Sequence, residues 1–182
     1  MGQRFLILTV ALLSMKCIAQ EEQDLWVGTW TSVGYSGIDW DASRATGPDG
    51  PLVYANYKKV FRITKNGEQY VIRGKTIKVN DPNDTSYHRP YTVKRMAGNT
   101  MWLESYVKKD PFTVDYGNGP FIESYSDNTY YYKLTLNNGI MHYSHYKIYS
   151  VEYDRNMNYK SEETMNVSDH RGNDLELYTD DW

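Results

Sequence analysis

Residues 129–146 read TYYYKLTLNNGIMHYSHY, and this stretch decides the fold class. Before the turn, apolar or aromatic side chains alternate with more polar ones, as in a strand with one buried face. The two faces are Tyr130, Tyr132, Leu134 and Leu136 on one side, and Tyr131, Lys133 and Thr135 on the other. The pair Asn138-Gly139 accepts the positive backbone angles of a tight turn. The stretch therefore predicts two antiparallel strands joined by a hairpin.

The same layout extends through the chain, which has turn signals at 65–68, 97–99, 126–128, 137–139 and 171–173. Its 18 Tyr and 5 Trp among 182 residues favour strands, because flat amphipathic rings pack well on a pleated face. We expect strands at about 25–33, 55–64, 69–79, 91–97, 100–107, 121–126, 129–136, 140–153, 158–167 and 174–179. An antiparallel meander of this length closes most economically into an up-and-down barrel, with a two-sheet β-sandwich as the alternative.

The N-terminus has the layout of a signal peptide. Arg4 precedes the apolar run 5–13, which is too short to cross a bilayer that requires about 20 residues. Cys17 and Ala19 occupy the small positions ahead of a cleavage site, so we expect residues 1–19 to be removed after Ala19. The mature chain, 20–182, would then start at Gln20 and be exported to a periplasmic or extracellular location.

Cys17 also allows a second interpretation, in which it is the acylated first residue of a lipoprotein. Lys16 argues against this, because lipoprotein signals resemble one another in having a small residue before the cysteine. With cleavage after Ala19 the mature chain has no cysteine, so its stability depends on a hydrophobic core.

Residues 20–182 have the length of one domain with a substantial core. Loss of Arg4 and Lys16 with the signal takes the formal net charge from −3 to about −5, which argues against binding to a phosphate backbone. The pairs Lys58-Lys59 and Lys108-Lys109 are interpreted as solvated strand or turn positions. We therefore expect no nucleic-acid partner, and the sequence does not indicate an oligomeric state.

The segment Leu25-Trp26-Val27-Gly28-Thr29-Trp30 opens the first strand and resembles the Gly-x-Trp start of the lipocalin and fatty-acid-binding superfamily. The resemblance is to the lipocalin-like (calycin-type) domains of secreted bacterial proteins. It implies a barrel in which Gly28 lets the chain bend while Trp30 plugs the closed end.

Two departures limit what this resemblance implies. Fatty-acid-binding proteins place two helices after the first strand, whereas the glycine-rich segment 34–50 is expected to be a long open loop. Larger lipocalins carry a later helix and often disulfides, neither of which is visible here. The resemblance therefore implies no ligand identity.

Metal and cofactor sites are not indicated. His142 and His145 are three residues apart, which on a strand places them on opposite faces, and His88 and His170 lie in turn-like segments. The turn 81–84, Asp-Pro-Asn-Asp, faintly resembles a calcium turn but lacks the other ligands of a twelve-residue loop. Carboxylates cluster in loops and tails, and motifs of hydrolases and nucleotide-binding proteins are absent. We expect no catalytic residues, no cofactor and no enzyme.

Two functions remain open. The first is a secreted binding protein that holds a small, partly apolar ligand in its barrel through Tyr and Trp side chains. The candidate ligand-binding residues are Tyr35, Trp40, Arg73, Arg95, Trp102 and Tyr132. The second is an extracellular recognition module that binds a glycan or another protein through surface aromatics. The direction in which the tyrosines point would separate the two.

Overall fold

The computed structural model describes residues 24–45, 47, 50–115, 119–168 and 173–178. Over these ranges the chain forms eleven strands and one short helix, which confirms the all-β class. The elements are β1 (Gly28–Ser32), β2 (Tyr35–Ile38), α1 (Trp40–Ala45), β3 (Tyr54–Asn66), β4 (Gln69–Lys78), β5 (Asp81–Tyr87), β6 (Thr92–Ala97), β7 (Thr100–Asp115), β8 (Pro120–Asn137), β9 (Ile140–Asp154), β10 (Tyr159–Asn166) and β11 (Asp174–Tyr178). The predicted signal peptide and Cys17 lie outside the described residues.

All the strands belong to one antiparallel sheet, rather than to the two facing sheets of a sandwich. Its hydrogen-bonded order is β5-β4-β3-β1-β11-β9-β8-β7-β6, with β2 beside β3 and β10 beside β9. The path ends at β5 and β6 and is not closed by a further ladder among the described residues. One isolated bridge, between Ile72 of β4 and Tyr91 just before β6, spans the gap between these ends.

Three of the predicted turns join neighbouring strands as expected. Gly67 and Gly98 have φ angles of 59° and 54°, between β3 and β4 and between β6 and β7. Asn138 and Gly139, with φ angles of 50° and 80°, join β8 to β9. These positions require the left-handed backbone region that glycine and asparagine tolerate best.

The turn predicted at 126–128 is wrong, because β8 runs without interruption through it. The Oδ1 atom of Asp127 accepts a hydrogen bond of 2.8 Å from the backbone N–H of Lys109 on β7, where the register shifts. Asn128 donates to the Ser126 hydroxyl at 2.7 Å. These polar side chains therefore stabilise an irregular part of the ladder instead of reversing the chain.

The open loop predicted for 34–50 is also wrong over its first half. Residues 35–38 form β2 against β3, and α1 follows directly. Asp39 caps this helix, since its Oδ1 accepts a 3.0 Å hydrogen bond from the backbone N–H of Ala42. The sequence contained that capping residue, but β2 depends on a partner some 20 residues away.

The segment 81–84 forms the start of strand β5 rather than a free turn. β5 lies at one end of the sheet path and is mostly exposed, so Pro82 removes no hydrogen bond to a further strand. The carboxylate of Asp84 lies 3.5 Å from the ammonium of Lys78.

The buried core follows the predicted alternation. Leu134 is fully buried, with Tyr132 and Leu136 packed against the core, whereas Lys133 lies between them on the other face. The core cluster comprises Trp26, Trp30, Phe61, Ile63, Ile72, Met101, Leu103, Leu134, Met141, Tyr143 and Leu175.

Trp30 is buried and Gly28 is tightly packed at the start of β1. Trp30 is only 2% exposed, and its indole N–H donates to the carbonyl oxygen of Trp26 at 3.0 Å. Gly28 has a φ angle of 152°, and a Cβ atom there would lie 2.5 Å from Leu177 Cδ1. The start of β1 thus leaves no room for a side chain at Gly28.

Candidate functional site

The inward face of the sheet changes from apolar to polar along three strands. On β3 the inward residues run Ile63, Phe61, Lys59; on β7 they run Met101, Leu103, Ser105; and on β8 they run Leu134, Tyr132, Tyr130. The β7 and β8 series are in register, since Met101 pairs with Leu134, Leu103 with Tyr132 and Ser105 with Tyr130. The sequence thus builds an apolar end around Trp30 and a polar, tyrosine-rich end around Lys59.

A cavity of about 300 Å³ lies at the polar end. Its described lining combines cations, hydroxyls and rings: Lys59, Tyr87, His88, Arg89, Tyr91, Ser105, Tyr130, Tyr132 and Tyr143. None of these residues is acidic. The cavity is at the lower end of the range of about 300–1,000 Å³ that is usual for small-molecule sites.

Lys59 is 7% exposed and lies on the cavity wall. Its Nζ atom is 4.8 Å from the centroid of the Tyr143 ring and 5.4 Å from that of Tyr35, distances at which a cation is attracted to an aromatic face. It also donates to Asn173 Oδ1 at 3.5 Å. The expectation that Lys58-Lys59 is a solvated pair is therefore wrong for Lys59. This residue lies on the same inward face of β3 as Phe61 and Ile63, because residues two apart on a strand share a face.

His88 is held between two hydroxyl groups. Its Nε2 lies 2.9 Å from Thr76 Oγ1, and its Nδ1 lies 2.9 Å from Tyr91 Oη. Burial, with a smaller contribution from the charge of Lys59, lowers the pKa of His88 to about 4. The imidazole is therefore neutral at pH 7.

Gly74 of β4 makes room for the His88 ring. A Cβ atom at position 74 would lie 2.4 Å from His88 Nδ1 and 3.1 Å from Phe61 Cε1. Because the ring is fixed by hydrogen bonds at both nitrogens, it cannot move aside without losing them. A glycine inside a strand commonly marks such a close approach.

Aromatic rings connect opposite parts of the cavity wall. Tyr91 meets Tyr132 edge to face at 5.2 Å between centroids, and Tyr132 stacks on Tyr143 at 5.5 Å. Phe61 lies 5.0 Å from Tyr143, although β3 and β9 are not neighbours in the sheet. Burial also raises the pKa of Tyr91. The rings thus form a preorganised wall for a flat or apolar body.

Two of the predicted ligand-binding residues lie at this site. Tyr132 lines the cavity, and Tyr35 contacts the Lys59 ammonium from β2. The segment that carries Tyr35 is tied to β4, because the Lys78 ammonium lies 2.5 Å from Asp39 Oδ2. That hydrogen bond holds the pKa of the Asp39 carboxyl below its usual value. The side chain of Trp40, the first residue of α1, lies outside the described part of the chain.

The other three predicted residues lie away from the cavity. Arg73 is exposed on β4, between the buried Ile72 and Gly74 of the opposite face. The Arg95 guanidinium lies 4.5 Å from the ring of Trp102, and both are outward neighbours on β6 and β7. Arg73 and Trp102 each alternate with buried residues, and this signal could have separated them from the inward set.

A second hollow, of about 550 Å³, lies at the apolar end. It is lined by Trp26, Trp30, Leu136 and Leu177, by the residues 24, 25 and 27 that lead into β1, and by hairpin residues. Leu25 and Leu177 are largely exposed there. The carboxylate of Asp24 is engaged by Tyr70 and Lys65, at 2.5 Å and 2.9 Å. This hollow offers few polar groups that could orient a ligand.

The two neighbouring histidines point away from each other. His142 makes a 2.7 Å contact with Asp174 on the exposed face, whereas the His145 ring lies 4.7 Å from that of Tyr132. Within the described ranges, no three His, Cys, Asp or Glu side chains are grouped in a way that could hold a metal ion. His170 lies outside those ranges. No helix in the described part of the chain is long and apolar enough to cross a bilayer.

Comparison with known proteins found no match, whether among family models, curated proteins or solved structures. The function must therefore be argued from the site itself.

Proposed function

We propose that this protein is an exported, lipocalin-like binding protein for a small amphipathic molecule with an anionic group. The observation that carries the proposal is the burial of Lys59 in the wall of an aromatic cavity. A cation in a cavity wall can pair with an anionic group of a ligand, and Lys59 is held in this wall by the rings of Tyr35 and Tyr143 and by Asn173.

The barrel is supported by two features of the sheet. The Ile72–Tyr91 bridge joins the regions near its two ends. Ring contacts such as Phe61–Tyr143 cross the interior between strands that are not neighbours. On this basis we propose that the sheet encloses the ligand, with Trp30 as the plug at the apolar end.

The chemistry of the ligand follows from the lining. The rings of Tyr91, Tyr132 and Tyr143 favour a flat, partly apolar body. Lys59 and Arg89 supply positive charge on the same wall, and none of the described lining residues opposes it with a carboxylate. Tyrosine hydroxyls on the same wall can donate hydrogen bonds to that group. We propose binding rather than catalysis as the role of these groups.

The experiment uses two fluorescent probes that differ by one charge. N-phenyl-1-naphthylamine is neutral, and 8-anilinonaphthalene-1-sulfonate carries the same rings with a sulfonate. We expect the sulfonate probe to bind more tightly, and Lys59→Met to weaken it by roughly tenfold or more while the neutral probe changes little. Lys58→Met, in the adjacent position on the opposite face of β3, is the matched control.

The outcomes separate the parts of the proposal. Equal affinity for the two probes in the wild type, or an unchanged preference in Lys59→Met, would contradict an anionic ligand. Tyr132→Ala should weaken both probes, because it removes part of the ring wall. Binding that survives this change would place the probes elsewhere and contradict the cavity as the site.

Export is a separate part of the proposal, and N-terminal analysis of the protein from its own host tests it. A mature chain that starts at Gln20 supports a soluble exported form. A chain that starts at an acylated Cys17 supports the lipid-anchored alternative, and an intact residue 1–19 segment contradicts export.

A further inference from the structure

Strands β7 to β10 continue beyond the part of the sheet that contacts β11. β9 pairs with β11 only over 140–142, and from residue 147 onward its partner on that side is β10. The sheet extension consists of residues 106–115, 120–129, 147–154 and 159–166. Its strands lie in the order β10-β9-β8-β7.

One face of this extension is lined with tyrosines. Residues that pair directly across an antiparallel ladder share a face, and so do residues two apart along a strand. Three successive rows on this face are Tyr106–Thr129–Tyr149–Thr164, then Asp127–Val151–Glu162, then Tyr125–Tyr153–Tyr159. On β8 this is the face opposite to Tyr130 and Tyr132, so it lies outside the interior described above.

The rings and carboxylates of this tyrosine face contact one another. The Tyr149 hydroxyl donates to Glu162 Oε2 at 2.7 Å, and the Tyr153 hydroxyl donates to Asp127 Oδ2 at 3.4 Å. The outermost rings remain available, since Tyr106 is 52% exposed and Tyr159 is 61% exposed. The face thus combines flat apolar surfaces with fixed hydrogen-bond acceptors.

We propose that the tyrosine face binds a neutral glycan. Sugar rings present C–H faces that pack on aromatic rings, and their hydroxyls donate hydrogen bonds to carboxylates. The row Tyr125–Tyr153–Tyr159 places rings on three adjacent strands, which are about 4.8 Å apart. This spacing is comparable to that of successive rings in an extended β-linked glycan.

The charge of the face selects among possible partners. Lys147 lies two residues before Tyr149 on the same face and partly offsets Asp127 and Glu162, so the face offers no strong charge to attract sulfated or sialylated glycans, nucleic acids or acidic membranes. A neutral chain of hydroxyl groups needs no charged partner, and its hydroxyls can donate to carboxylate oxygens beside the tyrosine rings. This inference is independent of the ligand proposed for the interior cavity.

An array of neutral, sialylated and sulfated glycans, probed with the labelled protein, tests the inference. We expect retention on neutral glycans alone. For a retained glycan, Tyr159→Ala and Tyr153→Ala should each weaken binding by roughly tenfold in calorimetric titration. Tyr54→Ala removes a ring of 63% exposure from β3 and is the matched control, with unchanged affinity. Near-ultraviolet circular dichroism checks that each variant is folded.

Several results would overturn the inference. Retention of no neutral glycan, or stronger retention of sulfated ones, would contradict the proposed chemistry. Binding that is unaffected by both Tyr153→Ala and Tyr159→Ala would place the glycan elsewhere. Binding of hexalysine in place of any glycan would show that the face recognises a cationic partner.

Discussion

The two ends of the sheet interior share the same alternating strands but differ in what the inward positions hold. Around Trp30 those positions are filled by Ile63, Met101 and Leu134, which are fully buried. Around Lys59 they hold Ser105, Tyr130 and Tyr132, which line the smaller but more polar cavity. Close packing and hydrophobic burial therefore stabilise the first end, whereas hydrogen bonds and ring contacts hold the side chains of the second end in place. We expect the first end to carry stability and the second to carry binding.

The largest expected effect is on the apolar end. Trp30→Ala removes a buried ring that has little room to be replaced, and it should lower the free energy of unfolding by about 3–5 kcal/mol. Chemical denaturation measures this loss. Trp102→Ala is the control, because Trp102 packs on the outer face under Arg95 and should cost much less. Equal losses would remove the distinction between the inner and outer tryptophans.

The next effect concerns acid sensitivity at the polar end. The pKa of His88 is about 4 in the folded protein, against 6.5 as its ordinary value, so the unfolded chain binds the proton more readily. Stability should therefore fall as the pH drops from about 6.5 to about 4, by on the order of 3 kcal/mol. Unfolding measured across this pH range tests it.

Two variants separate this contribution from that of other groups. His88→Phe should lose most of the dependence between pH 6.5 and 4, whereas His142→Gln, at an exposed position, should retain it. A wild-type stability that is flat over this range would contradict the burial of neutral His88.

A smaller effect is expected where the His88 ring approaches β4. Gly74→Ala places a methyl group against that ring and should destabilise the protein by about 1–3 kcal/mol. In the double variant with His88→Ala, the closest approach is removed and only the 3.1 Å approach to Phe61 Cε1 remains, so the cost of Gly74→Ala should be clearly smaller. Additive losses in this double-mutant cycle would show that the close approach is not the cause.

The smallest effect is the loss of the Tyr91 hydroxyl. Tyr91→Phe keeps the ring contact with Tyr132 but removes the hydroxyl that lies 2.9 Å from His88 Nδ1. It should cost about 1 kcal/mol. Tyr54→Phe, on an exposed ring, should cost nothing measurable. A loss as large as that of Trp30→Ala would mean that the polar end also carries the core stability.

The apolar end could be predicted from the sequence more fully than the polar end. Alternation around Tyr132 and Leu134, and the Gly28–Trp30 pair, needed only local pattern. Lys59, Phe61 and Ile63 are two residues apart along β3 and therefore share its inward face. The adjacent Lys58 instead favoured the interpretation of a solvated lysine pair. His88 could not be placed, because its position depends on Thr76, Tyr91 and the absence of a side chain at Gly74.

Other differences also come from contacts distant in sequence. The helix α1 is capped locally by Asp39, but its position depends on Lys78, which belongs to β4. The strand β9 changes partner from β11 to β10 partway along its length, which no local pattern indicates. Local alternation identifies strands, whereas neighbours and cavities are set by pairing between distant segments.

The position of β1 has a consequence for how the chain folds. β1 lies between β3 and β11, so a strand near the start of the domain is completed by the last described strand. Leu175 of β11 is fully buried and belongs to the core cluster. A contact of such long sequence separation slows folding, because the intervening chain must be ordered first. A chain emerging from the ribosome therefore cannot assemble its complete core until residues 174–178 have been synthesised, and truncation before Leu175 should leave it open to proteolysis.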